Sequence, residues 1–296
     1  MNHIIEQMLS EHESVTLAEK KNSIKEVVQE IILCGLSRGG FFQSAAFYGG
    51  TALRIFHGLD RFSEDLDFSL MTPDPVFRLD AFLPMLEKEL NSYGFRFHAE
   101  TKVKSVDSDI QSAFVKGNTR EHILICYADE HLSRSVGSEE LIKVKFEADT
   151  TPPPYATVEK KYRLLPIPYA ITLYDMPSLF AGKLHAVICR GWKNRMKGRD
   201  LYDYIFYLSR KTPVNLKHLN ARLVDSGFEG AREDLTITEI KQILCRRFAS
   251  IDYDQAKSDV MPFIRNPASL DVWSPEFFMA ITEELTSDET SVAVKN

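Results

Sequence analysis

Tyr48-Gly49-Gly50-Thr51-Ala52-Leu53-Arg54 leads on to Arg61-Phe62-Ser63-Glu64-Asp65-Leu66-Asp67-Phe68. A short apolar run, Ala45 to Tyr48, enters the glycine turn. Thr51 to His57 reads as a short helix and Asp65 to Leu70 as a strand. Side chains alternate along a strand, so Asp65 and Asp67 are expected on one face and Leu66 and Phe68 on the other, in the core. Carboxylates this close repel unless a cation sits between them. Mg²⁺, or Mn²⁺, is the natural one, held by one or two carboxylates and by substrate phosphates. A Gly-Gly turn feeding a helix leaves backbone N–H groups bare, which suits phosphate oxygens. Taken alone, Asp-x-Asp also fits the wet face of an ordinary strand, and Gly-Gly an ordinary strand-to-helix turn. Together they fit a turn that holds a triphosphate and carboxylates that hold its metals. There is no Gly-Lys-Ser/Thr, so this is not a Walker A loop.

Upstream, Ser23-Ile24-Lys25-Glu26 reads as a capping box opening a helix that ends near Gly39-Gly40. Downstream, residues 76–93 read as a helix bounded by Pro75 and Gly94. Strand signals follow at 95–104, 111–116 and 121–127. The plainest strand is Leu141 to Asp149, where Ile142, Val144, Phe146 and Ala148 alternate with Lys143, Lys145, Glu147 and Asp149. From Asp175 onward the pattern turns helical, at about 176–190, 199–210, 215–227, 236–249 and 273–285. The expected organisation is a catalytic region over 1–170, a helical region over 171–287 and a flexible tail over 288–296.

Between Lys183 and Arg199 lie only basic charges: Lys183, Arg190, Lys193, Arg195, Lys197 and Arg199. The whole chain carries a formal net charge of −6. That argues against a protein that coats nucleic acid, whereas one basic segment in an acidic chain suits phosphates or RNA. A solvated helix face reads equally well. Asp200 and Asp203 fall one turn apart, with Leu201, Ile205 and Leu208 expected on the apolar face. A helical hairpin hinged near Gly191 or Gly198 would bring Lys183 to Asp200. The bland alternative is an exposed Arg199–Asp203 or Lys–Asp pair. Ser63 either binds a phosphate or caps a turn. Glu147 is either a third metal carboxylate or part of a charged strand edge.

Cys34, Cys126, Cys189 and Cys245 lie far apart and read as reduced thiols. Met1-Asn2-His3-Ile4-Ile5-Glu6 lacks a signal-peptide pattern, and no run reaches the ~20 apolar residues of a membrane span. A cytoplasmic protein without a membrane partner is expected.

The glycine–aspartate segment resembles the signature of the AbiEii/AbiGii toxin family, nucleotidyltransferase-fold proteins of bacterial abortive-infection and toxin–antitoxin systems. Ala181-Gly182-Lys183-Leu184-His185-Ala186 and Lys197-Gly198-Arg199-Asp200-Leu201-Tyr202-Asp203 resemble its later motifs. The resemblance implies an α+β fold: a nucleotidyltransferase-type mixed β-sheet with flanking helices, then a helical C-terminal domain. It implies Asp65, Asp67, Lys183 and Asp200 as catalytic residues. Gly49, Gly50, Thr51, Arg54, Ser63 and Arg199 would bind nucleotide, and Asp65, Asp67 and Glu147 would bind metal. The activity implied is transfer of a nucleoside monophosphate from an NTP to an RNA, with the tRNA 3′ end as acceptor, controlled by a cognate antitoxin. Two rivals stand beside it: a metal-dependent nuclease using Asp65, Asp67, Glu147 and Lys145, and a module that binds nucleotide without turning it over.

Overall fold

The computed structural model describes residues 2–102, 109–190 and 197–288. Gly191, Lys193, Arg195 and the tail from 289 onward lie outside the described residues. Seven strands form one mixed sheet: β1 (Ala45–Tyr48), β2 (Leu66–Leu70), β3 (His98–Lys102), β4 (Ile110–Asn118), β5 (Leu141–Asp149), β6 (Val158–Arg163) and β7 (Tyr169–Tyr174). Their spatial order is β3-β4-β5-β2-β1-β7-β6. β1 runs antiparallel to β2, and β2 runs parallel to β5. The alternation expected along β5 is present, with Ile142, Val144, Phe146 and Ala148 all buried.

Helices α1 (His3–Ser10), α2 (Leu17–Arg38), α3 (Gly49–His57), α4 (Leu83–Ser92), α5 (Thr119–Tyr127) and α6 (Glu130–Arg134) accompany the strands. α2 packs on β5 and α4, burying Ile24, Val27, Val28, Ile31, Ile32 and Leu36. It starts earlier than the Ser23 capping box predicts. Thr16 and Glu19 cap it reciprocally, with the Thr16 hydroxyl accepting from the Glu19 N–H at 3.2 Å and the Glu19 carboxylate accepting from the Thr16 N–H at 2.8 Å. Ser23 is an interior position whose hydroxyl donates to the Glu19 carbonyl.

Residues 121–127 form α5 rather than the expected strand. Asn118 caps this helix by accepting from the Glu121 N–H, and Ile123 and Cys126 recur at helical spacing on its buried side. In 76–93 only Leu83–Ser92 is α-helical, preceded by a 3₁₀ turn at Leu79–Phe82. β6 and β7 were not expected; the run Val158-Glu159-Lys160-Lys161-Tyr162-Arg163 has no apolar alternation to mark β6.

The remaining helices are α7 (Met176–Cys189), α8 (Gly198–Ser209), α9 (Leu216–Asp225), α10 (Ile237–Phe248), α11 (Tyr253–Val260) and α12 (Pro275–Thr282). Contacts divide the chain into two compact units. The first comprises Met1–Thr51, Glu64–Pro152 and Lys160–Leu173; the second comprises Ala52–Ser63, Pro153–Glu159 and Tyr174–Asn296. In the second, α7 packs on α8 and α9, and α11 packs on α8. Its core is aromatic: Phe180 stacks on Tyr207 at 4.5 Å, and Phe248 and Phe278 both lie against Tyr204. No helix among the described residues is long and apolar enough to cross a membrane.

Candidate active site

The first unit carries the glycine turn and the carboxylates. α3 begins at Gly49 itself, so the N–H groups of its first turn have no partner within the helix. Gly49 has φ +83°, a left-handed conformation that favours glycine. A Cβ added there would lie 2.5 Å from Oδ2 of Asp67, so the turn packs directly on that carboxylate. β2 starts at Leu66, which leaves Asp65 exposed just before the strand and Asp67 half-buried within it. Leu66 and Phe68 are fully buried, as expected of the opposite face.

The peptide around Asp65 is fixed from two sides. Thr51, itself fully buried, donates its hydroxyl to the Asp65 carbonyl. The Gln29 amide, on α2, donates to the Glu64 carbonyl at 2.8 Å, and Lys25 pairs with the Glu64 carboxylate at 3.2 Å. Gln29 and Lys25 were not among the expected site residues. They lie far away in sequence on a helix that reads as ordinary, and no local pattern marks them.

Asp67 and Glu147 are register partners on the parallel neighbours β2 and β5. Adjacent strands lie about 4.8 Å apart, so the two carboxylates leave one face of the sheet side by side. Glu147 Oε1 accepts from the Ser112 hydroxyl at 2.6 Å, and Oε2 pairs with Lys145 at 2.6 Å. Among the described residues, no group of three or more His, Cys, Asp or Glu side chains converges to hold a metal. Mg²⁺ is commonly held by one or two carboxylates with phosphate oxygens completing its shell. Asp67 and Glu147, with Asp65 nearby in the chain, fit that donor chemistry.

The second unit carries a buried ionic cluster. Asp203 accepts two 2.6 Å hydrogen bonds from Arg61, through Nε and Nη2. Lys183 Nζ lies 2.6 Å from Asp200 Oδ1 and 2.8 Å from Asp203 Oδ2. Arg190 reaches Asp200 Oδ2 at 2.9 Å. Side-chain exposure is 3% for Arg61, 0% for Asp203, 2% for Asp200 and 13% for Lys183. Lys183 and Asp200 therefore meet as expected. Asp203 is no surface partner of Arg199, and the Arg61–Asp203 pair was not foreseen. Arg199 instead lies over the Phe263 ring at 4.2 Å.

α8 buries Asp200, Leu201, Asp203, Tyr204 and Tyr207, leaving Ile205 and Leu208 only partly covered. The aspartates displace the expected apolar stripe because paired cations come in with them. Arg54 and Ser63 also belong to this unit. The Arg54 guanidinium donates to the carbonyls of Leu59 and Asp60, both at 3.0 Å, closing the turn after α3. Ser63 is buried.

Burial alone would raise the Asp200 carboxyl, but Lys183 and Arg190 outweigh it and hold it at about 2. Asp203, also opposed by burial, is lowered by Arg61 and Lys183. An unfolded aspartate titrates near 3.9. Both groups are thus depressed by folding. Their contribution to stability is complete above pH ~4 and is lost as the pH falls through the lowered folded values, about 2 for Asp200. The stability gap between wild type and Asp200→Asn is expected to be constant from pH 7 to 5 and to shrink below pH ~4. Urea melts at each pH measure it, and a gap indifferent to pH would remove the ionic explanation.

The family model described as nucleotidyl transferase AbiEii toxin, Type IV TA system, matches residues 31–280. No curated protein matches the chain. Among solved structures, the nucleotidyltransferase toxin MenT4 of Mycobacterium tuberculosis aligns with TM-score 0.57 and 18% identity, covering 98% of this chain and 92% of that one. JHP933 from Helicobacter pylori aligns with TM-score 0.49 and 16% identity, covering 96% and 98%. At such identities the MenT4 likeness speaks for the fold alone. The family match spans most of the sequence, from before the glycine turn to beyond Asp203, and this chain belongs to the AbiEii family of nucleotidyl transferase toxins of type IV toxin–antitoxin systems.

Proposed function

We propose that this protein transfers a nucleoside monophosphate from an NTP to the 3′ hydroxyl of an RNA, with the tRNA 3′ end as acceptor and pyrophosphate as leaving group. The observation that carries the reading is Gly49 packed on the Asp67 carboxylate, with Glu147 in register beside it. Bare N–H groups and clustered carboxylates in one place suit a metal-bound triphosphate. Asp65, Asp67 and Glu147 would hold Mg²⁺ or Mn²⁺, which supplies charge neutralisation and in-line orientation. Gly49, Gly50 and Thr51 form the turn against the phosphates. Thr51 acts by fixing Asp65 through its carbonyl, since its hydroxyl is committed there. Lys183 supplies a fixed positive charge for phosphate, and Asp200 holds it in place. Arg54 and Arg199 are proposed to bind nucleotide, Arg54 from the end of α3 and Arg199 from the first turn of α8. Ser63 is proposed as a phosphate contact. A cognate antitoxin as partner, a cytoplasmic location and a part in phage defence follow from the family's biology.

Incubation with each NTP, Mg²⁺ and labelled total RNA tests the reaction. RNA is expected to lengthen by a few nucleotides in a metal-dependent way. Cleaved RNA would establish a nuclease, and unchanged RNA with bound NTP a binding module. The turn itself is tested by Gly49→Ala. A left-handed alanine costs roughly 1–2 kcal/mol, and its Cβ must displace the Asp67 carboxylate. Nucleotide incorporation is expected to fall at least tenfold while the melting temperature drops by only a few degrees. Unchanged incorporation would separate the turn from the chemistry.

A further inference from the structure

Tyr202, Phe206 and Arg210 recur every four residues along α8 and its C-terminal end. With Asp60 and Trp273 they line a cavity of about 420 Å³ in the second unit. None of these side chains belongs to the carboxylate face or to the ionic cluster. The Arg210 guanidinium lies over the Phe206 ring at 4.4 Å, and its donors meet no protein acceptor among the described residues. The Tyr202 hydroxyl donates to Asp60 Oδ1 at 2.8 Å, which fixes that carboxylate and leaves Oδ2 without a protein partner among them. Trp273 is buried at the cavity wall.

We propose that this cavity takes one unpaired, amino-bearing base of the RNA acceptor, a proposal that rests on the reading of the protein as an RNA-extending transferase. Aromatic walls stack on a base whatever its sequence. A guanidinium held over a ring offers a planar donor fork to ring nitrogens or carbonyls. An anchored carboxylate accepts from an exocyclic amino group. The volume lies within the range of small-molecule pockets, about 300–1,000 Å³. One cation and one carboxylate leave the cavity with no net charge, so it has little to offer a triphosphate. A base within a polynucleotide needs no phosphate site here, because backbone contacts elsewhere supply that part of the affinity.

The test is steady-state extension of a purified tRNA pool by the full-length protein, with Arg210→Ala, Phe206→Ala and Arg210→Lys. Arg210 is exposed, so its removal leaves the core untouched; melting curves control for Phe206. Both alanine variants are expected to raise the KM for RNA about tenfold, near the low end of the effect of one stacked base. The KM for the NTP should not move. Arg210→Lys should behave like Arg210→Ala, because lysine keeps the charge and loses the plane. An unchanged RNA KM in both alanine variants overturns the proposal. So does full rescue by lysine, which would mean a phosphate contact. Loss of antitoxin inhibition with an unmoved RNA KM would make the occupant a protein and overturn it too. Wild type that extends no RNA removes the transferase reading and this proposal together; wild type that extends RNA beside unaffected variants removes this proposal alone.

Discussion

Asp67→Asn is expected to lower nucleotidyl transfer by about 10³-fold or more while the protein melts where wild type does. A loss of that size corresponds to roughly 4 kcal/mol of transition-state stabilisation, in the range expected when a group that positions charge against a triphosphate is removed. The fold should tolerate the change. Asp67 is half-buried, stands beside Glu147 across β2 and β5, and contacts Gly49. Neutralising one of two adjacent carboxylates relieves repulsion, and asparagine preserves the shape that Gly49 packs against. Asp65→Asn should act in the same direction. A circular-dichroism melt beside a nucleotide-incorporation assay reads both quantities. Full activity in both variants would place the chemistry elsewhere. In cells, the growth arrest caused by induced wild type should disappear with Asp67→Asn at equal expression, and sequencing of RNA 3′ ends should show the added nucleotides vanish with it.

Asp203→Ala is expected to destabilise the protein by about 3–5 kcal/mol, the cost of stranding a buried charge. It leaves Arg61 at 3% exposure without its bidentate acceptor and takes one of two carboxylates from Lys183. Arg61→Met should cost a similar amount, because it strands Asp203 beside a single cation. The double variant Arg61→Met/Asp203→Leu should recover much of that loss, since an apolar pair of similar volume spares both desolvation terms. Urea unfolding of wild type, Asp203→Ala, Arg61→Met and the double variant measures that recovery. Arg134–Glu130, an exposed i,i+4 pair, is the internal contrast, and its removal should cost under ~1 kcal/mol. If Asp203→Ala cost no more than that pair, the cluster would be ornamental to the fold.

The parts of this architecture legible in sequence are those written in local spacing. The β1–α3–β2 passage through the glycine turn could be read, and so could β5, from its two-residue alternation. The contact between Lys183 and Asp200 could be read too, because they lie 17 positions apart on two helices that follow one another in the chain. What could not be read depends on distant partners. Arg61 and Asp203 are 142 positions apart, and nothing near either residue announces the other. The same holds for Gln29 and the Glu64 carbonyl, 35 positions apart. α8 shows how such a pairing misleads a periodicity argument. An aspartate reads as an exposed residue until the cation that accompanies it inward is known. α5 failed for a local reason: Ile123-Leu124-Ile125-Cys126 has the composition of a strand, and the Asn118 cap decides for a helix.

The two outermost strands of the sheet have a consequence at high protein concentration. β3 reads His98-Ala99-Glu100-Thr101-Lys102 and β6 reads Val158-Glu159-Lys160-Lys161-Tyr162-Arg163, whereas the central β1 is Ala45-Ala46-Phe47-Tyr48. A sheet rim exposes backbone donors and acceptors that invite a foreign strand. Val158, Tyr162 and Leu164 on or beside β6 are exposed and would make that rim adhesive. The charges between them act as gatekeepers, because a second molecule adding to the rim would have to strip water from Lys160 and Lys161. Protection of this kind weakens as salt screens the charges. Concentrated stocks of this protein should therefore stay monodisperse longest at low ionic strength, and clouding on salt addition should be hastened by exchanging Lys160 and Lys161 for threonine.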